Sequence, residues 1–277
     1  MSLASNTSIG MNDLLAALAL PPAALVQQRI PKKMLAEHGA ATLADRKLVQ
    51  ERIDVLTWHA ALKPATVGVA AFEDEQRSYL EVAVVSAKLR QNVVPVGSIS
   101  PSLSPGFRRV AELVHRAIPY PTLLLAEDGP QLAISTAHIR WAQRDAERTV
   151  LDGELVMAPI HQVSQADASE GQALGAFLAA LALMNQPRTH LMSLYQGWLD
   201  TISAWQAVEL TGHFKPSESA AQAAERRQAL RVCKDLDARI AAARSAASKE
   251  KQMARQVAAN LEIKDLLTQR QQAAQNL

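Results

Sequence analysis

A single cysteine, Cys233, stands in a chain of 277 residues, so neither an internal disulfide nor a cysteine-built zinc site is available. A reducing, cytoplasmic setting is the expectation. Glycine is also sparse, at 11, and none of it falls into a Walker-type phosphate loop, a Gly-x-Gly-x-x-Gly turn or a Gly-x-Ser-x-Gly elbow. The seven histidines never pair at helical spacing, which leaves no zinc motif, and no metal or cofactor is expected. Long apolar runs are missing as well. Leu14–Val26 is broken by Pro21-Pro22, and Ala173–Met184 falls short of the roughly 20 residues a bilayer crossing needs. Excess charge of one sign is absent: 29 Lys+Arg face 27 Asp+Glu, far from the basic surplus of a protein that coats nucleic acid.

What is abundant is alanine, with 50 residues against 11 aromatics. Alanine has the highest helix propensity but buries little area, so helices with a thin core are expected. The charge is unevenly spread. Residues 1–150 carry a net +2, residues 151–216 a net −4 and residues 217–277 a net +4. A basic end of this kind suits phosphate or an acidic partner.

The hydrophobic period changes along the chain. Residues 1–20 read as a short helix or arm ending at Pro21-Pro22. Thr42–Trp58 reads as an amphipathic helix capped by Thr42, with Asp45 in its first turn. Thr66–Phe72 and Tyr79–Leu89 read as a β-hairpin, and Phe107–Ala117 as a helix. Thr122–Ala126 and Leu132–Thr136 flank Asp128-Gly129-Pro130, a second hairpin signal. Thr149–Leu151 and Glu154–Met157 suggest a last strand pair, after which only helices follow. The expected fold class is α+β: a mixed sheet with flanking helices over residues 21–160, a helical part over 165–216, and a long basic helix or helical hairpin over 217–277. In that tail Ala229, Cys233, Leu236, Ile240, Ala243, Ala247, Glu250, Ala254, Val257 and Leu261 follow a strict four-three spacing, a coiled-coil seam that could close within the chain or between copies.

Several segments in order, Arg29-Ile-Pro-Lys-Lys33, Trp58-His-Ala-Ala-Leu-Lys-Pro64, Tyr79–Val85, His115-Arg-Ala-Ile-Pro-Tyr-Pro121, Arg140-Trp141 and Leu194-Tyr-Gln-Gly-Trp198, resemble a bacterial family defined only as a domain of unknown function. The resemblance implies a place beside Swi/Snf-type helicases and DNA methyltransferases in restriction or phage-defence loci. It implies no established activity. Where the family pattern is expected to read Lys-Arg-Trp, this chain has Ile139-Arg140-Trp141.

That setting makes a nuclease the first enzyme to test. Asp74, Glu81 and Lys88 are the candidates for two metal-holding carboxylates and a phosphate-facing lysine, but Glu81 and Lys88 are seven apart and no Glu-x-Lys occurs. The basic candidates for nucleic acid are Lys32, Lys33, Arg108, Arg109, His115, Arg116, Arg140, Arg144, Lys249, Lys251 and Arg255. The leading expectation is a non-catalytic accessory subunit of a DNA-targeting defence system. It would bind a helicase or methyltransferase and touch DNA, or form homo-oligomers through the tail. A divergent nuclease and a self-assembling coiled-coil scaffold are the alternatives.

Overall fold

A computed structural model describes residues 9–90, 103, 105–142, 145–160 and 168–277. It has an α+β architecture, with the strands in the N-terminal half and helices closing the chain. The main sheet has six strands in the order β1-β2-β5-β6-β7-β8: β1 (Leu25–Arg29), β2 (Ile53–Leu62), β5 (Val82–Leu89), β6 (Thr122–Asp128), β7 (Gln131–Ala142) and β8 (Asp145–Ile160). All neighbours are antiparallel except β5 and β6, which run parallel and are joined through α5 (Pro105–Ala117). A two-residue hairpin of β3 (Phe72–Glu73) and β4 (Ser78–Tyr79) stands apart.

Three stretches differ from the sequence reading. The helix expected over Thr42–Trp58 is capped by Thr42 as expected, its Oγ1 accepting from Asp45 N at 3.1 Å, but α3 ends at Arg52 (Leu43–Arg52). Ile53, Val55 and Thr57 alternate β-branched side chains; β5 pairs with all three, and β1 with Thr57, so they join β2. The hairpin expected between Thr66–Phe72 and Tyr79–Leu89 shrinks to β3–β4. Pro64–Val67 is a one-turn helix (α4) instead, and β5 pairs with β2 and β6. The suggested last strand pair is one continuous strand, β8. Its register on β7 slips between Thr136 and His138, and Gly153, at φ 88°, takes a conformation that side chains rarely adopt.

Helices cover both sheet faces. Against one face, α2 (Lys32–His38), α3 and α5 bury Leu35, Val49, Phe107 and Val114 on Ile53, Leu56, Val85, Leu89 and Leu124. Leu14 of α1 (Met11–Ala17), Phe177 of α6 (Ala168–Ala180), and Tyr195 and Trp198 of α7 (Leu191–Thr211) are also fully buried. The chain divides into two compact units, Met1–Ile202 and Ser203–Leu277; Tyr195, in the first unit's part of α7, is hydrogen-bonded into the sheet.

The second unit holds α8 (Ala220–Lys249) and α9 (Met253–Ala274), packed as an antiparallel hairpin: Arg270 Nε donates to Asp237 Oδ1 at 3.1 Å, and Leu236 and Ile240 bury against Leu266. This corrects part of the expected seam. Ala229, Cys233, Leu236 and Ile240 are buried, and Ala243 and Ala247 half-buried, as the heptad requires. Ala254, Val257 and Leu261 instead face solvent, Val257 and Leu261 at 54% and 59% exposure. Glu250 adopts an extended backbone, so helix phase is not carried through the bend, and α9 turns Ile263 and Leu266 inward.

Among the described residues no helix is long and apolar enough to cross a membrane.

Candidate functional site

The three nuclease candidates are not brought together. Asp74 closes the β3–β4 turn, accepting from Gln76 N and Arg77 N at 2.8 and 2.6 Å. Glu81 is bound to Lys63 Nζ at 3.0 Å, a contact that raises the Lys63 pKa. Lys88 is exposed near the far end of β5, opposite Glu127 of β6. Among the described residues no three of His, Cys, Asp and Glu are grouped to hold a metal ion.

Three of the segments that carry the family resemblance, Tyr79–Val85, Arg140-Trp141 and Leu194–Trp198, meet around α7 and the β3–β4 hairpin. Gln196 Nε2 donates to the Asp200 carboxylate at 2.8 Å, which fixes the amide's orientation. Its Oε1 then accepts from His138 Nε2, also at 2.8 Å, and His138 Nδ1 faces the Tyr79 hydroxyl. Burial raises the Tyr79 pKa and keeps the phenol protonated. Arg77 and Arg140 share Asp152, the strand partner of His138. Trp198 Nε1 donates to Leu181 O at 2.9 Å, and a Cβ on Gly197 would stand 2.5 Å from Pro187 Cδ. Tyr195, Gln196, Gly197 and Trp198 each meet a packing or hydrogen-bonding demand, so this part of the signature specifies how α7 seats on the sheet.

The basic candidates separate by what they touch. Arg109 makes a two-pronged contact with Asp45 (2.9 and 2.8 Å), and Glu112 holds both Arg109 and Arg116. The Asp45 pKa falls, chiefly through its hydrogen bond from Arg109. Arg108, though exposed, donates to Leu155 O. His115 is 2% exposed, with Nε2 3.0 Å from Ser135 Oγ, and burial lowers its pKa to about 3. This corrects its place among the phosphate-facing candidates: it is a neutral core residue. Arg144 lies outside the described residues. Lys249, Lys251 and Arg255 are exposed where α8 bends into α9, around Glu250.

One group remains crowded with like charge. Lys32 opens α2, three residues after Arg29, and its pKa is lowered by burial and then by Arg90 and Arg29, with Asp54 opposing. Arg90 Nε lies 3.5 Å from Asp54 Oδ1. Register explains the assembly. Arg29 pairs with Thr57 of β2 and Ile53 with Leu89 of β5, so residues distant in sequence share one end of the sheet. Lys33, next along, is exposed and paired with Glu37. Of these residues, sequence reasoning found Lys32 and Lys33. It missed Arg90 and Arg29, because only the strand pairing reveals their neighbours.

An α+β protein with a basic sheet end and a helical-hairpin tail is the class these observations define. The family described as "Domain of unknown function (DUF4391)" matches residues 18–269, and the chain belongs to it. No curated protein and no solved structure matches.

Proposed function

We propose that this chain is a non-catalytic accessory subunit of a bacterial, cytoplasmic, DNA-targeting anti-phage system. It binds a helicase or DNA methyltransferase partner and meets DNA through the corner formed by Arg29, Lys32 and Arg90. The observation that carries this reading is the gathering of three cations, Arg29, Lys32 and Arg90, at one sheet end around one carboxylate, Asp54; burial first, and then Arg90 and Arg29, lower the Lys32 pKa. Such repulsion is relieved when a polyanion arrives, and released counterions add to the binding free energy. The test is fluorescence anisotropy on a labelled duplex. The wild type should bind with an affinity that falls steeply as salt rises, and Lys32→Ala/Arg90→Ala should weaken binding by about 1–2 orders of magnitude and flatten the salt slope by roughly 2. Binding that ignores salt, or is unchanged in the double variant, removes the corner from the reading. Pull-down from the native locus tests the partner half of the proposal.

The exposed row Met253, Val257 and Leu261 on α9 favours a second reading, self-association through the tail. Leu261→Glu should leave unfolding unchanged, within about 0.5 kcal/mol for a surface position, and shift the mass seen by light scattering toward the monomer. An unaltered mass sets this reading aside.

A further inference from the structure

Behind the basic corner lies a fourth cation that its exposed residues do not reveal. Arg52 ends α3, and its side chain is 8% exposed. Its Nη2 donates to Asp128 Oδ2, while its buried Nε has no acceptor among the described residues. Buried polar groups are almost always paired, and an orphaned donor costs about 1–3 kcal/mol, so this one asks for an explanation. Its position is fixed by backbone. Leu89 is paired with Ile53 on one side and Asp128 on the other, and Arg90 N donates to Arg52 O at 2.6 Å. Arg52 therefore stands at the carboxyl ends of β5 and β6, the parallel pair.

We propose that the corner is a phosphate-monoester site, with Lys32 and Arg90 at its mouth and Arg52 at its back, and that it takes the terminal phosphate of a nucleic-acid strand. A diester inside a duplex is flanked by sugar on both sides and meets only exposed cations. A terminal phosphate protrudes on one narrow stem and can enter toward a guanidinium that is nine-tenths buried. It also carries close to two charges and three acceptor oxygens, which suit a guanidinium fork. Asp128 and Asp54 hold Arg52 and Arg90 in place. Because Nε is closed off from solvent, engaging it takes a small turn of the Arg52 side chain about its Asp128 contact.

This deepens the reading of the corner as DNA-facing and rests on it. The experiment compares single strands of one sequence carrying a 5′-phosphate, a 3′-phosphate or hydroxyls at both ends, by anisotropy with the full chain at constant ionic strength. One phosphorylated strand should bind about tenfold tighter than the hydroxyl strand. Arg52→Lys, which keeps the charge and loses the fork, should abolish that preference and retain the salt-dependent part. Should Arg52→Lys fail to fold, Lys32→Ala/Arg90→Ala, placed nearer the surface, should reduce the same preference at least several-fold. Equal affinity for all three strands, with salt dependence intact, overturns the monoester site and leaves the DNA reading standing. No binding to any strand overturns both. Inorganic pyrophosphate that binds the wild type but not Arg52→Lys, with no strand preference, assigns the site to a free phosphate compound and overturns the strand-end claim.

Discussion

On acidification from neutral pH to near pH 4.5, the protein should lose about 2–3 kcal/mol of stability through one buried side chain, and His115→Gln should remove most of that loss. His115 is wholly buried in α5, and burial lowers its pKa from 6.5 to about 3. The folded state holds it neutral, whereas the unfolded chain lets it take up a proton below about pH 6.5. Between the two values the unfolded state binds more protons. Stability is therefore fully present above the unfolded value and falls with pH through this window, by up to about 1.4 kcal/mol per pH unit. Asp45 moves in the same direction but lower: Arg109 depresses its pKa, so its contribution is lost only as pH drops below the ordinary carboxylate value of 3.8. The two are separable by window. Glutamine keeps a hydrogen-bonding group near Ser135 without titrating. Urea midpoints of wild type and variant across this range decide the matter, and parallel curves would show that His115 is not the group responsible.

That role was not visible in the residues. His115 stands beside Arg116 near a helix end, a place that suits a structural histidine as well as a member of a basic cluster; only the packing of α5 on the sheet separates a buried side chain from an exposed one next door. Local signals were legible where chemistry is local. The Thr42 cap, the Asp128-Gly129 turn and the helical C-terminal part all follow from short-range rules. The start of β2 inside an apparent helix was not, because the β1 and β5 partners that claim it lie elsewhere in the chain. The seam failed at a definable point. Four-three spacing continues through Glu250 as a pattern, but three non-helical residues at the bend change which face of α9 meets α8. For the candidate site, Lys32 was readable as a cation, whereas Arg52, Asp54, Arg90 and Asp128 become neighbours only through strand register.

Tyr195→Phe should cost about 2–4 kcal/mol, much of the margin of an ordinary domain, although it deletes one oxygen. The hydroxyl is inserted between β6 and β7. It accepts from Ala137 N at 2.9 Å and lies 2.8 Å from Thr122 O and 3.0 Å from Ala137 O, either of which its single proton can serve. The paired register of β6 and β7 starts at Leu124–Ser135, so Thr122 and Ala137 lie beyond it, and the phenol takes the place of a ladder bond. Burial raises the Tyr195 pKa well above its ordinary value, which keeps the donor proton in place at any pH of interest. Phenylalanine preserves the ring and its packing but strands a buried amide and leaves carbonyls without their donor, and water has no path to replace them because Tyr195 is fully buried. The loss should appear in urea unfolding and as faster hydrogen exchange at Ala137 N. Tyr79→Phe is the control: its hydroxyl, also buried, meets one side chain, His138, instead of bridging two strands, so it should cost about 1 kcal/mol. If the two variants lose the same stability, the bridging role of Tyr195 is wrong, and the Leu194–Trp198 signature needs a different physical explanation.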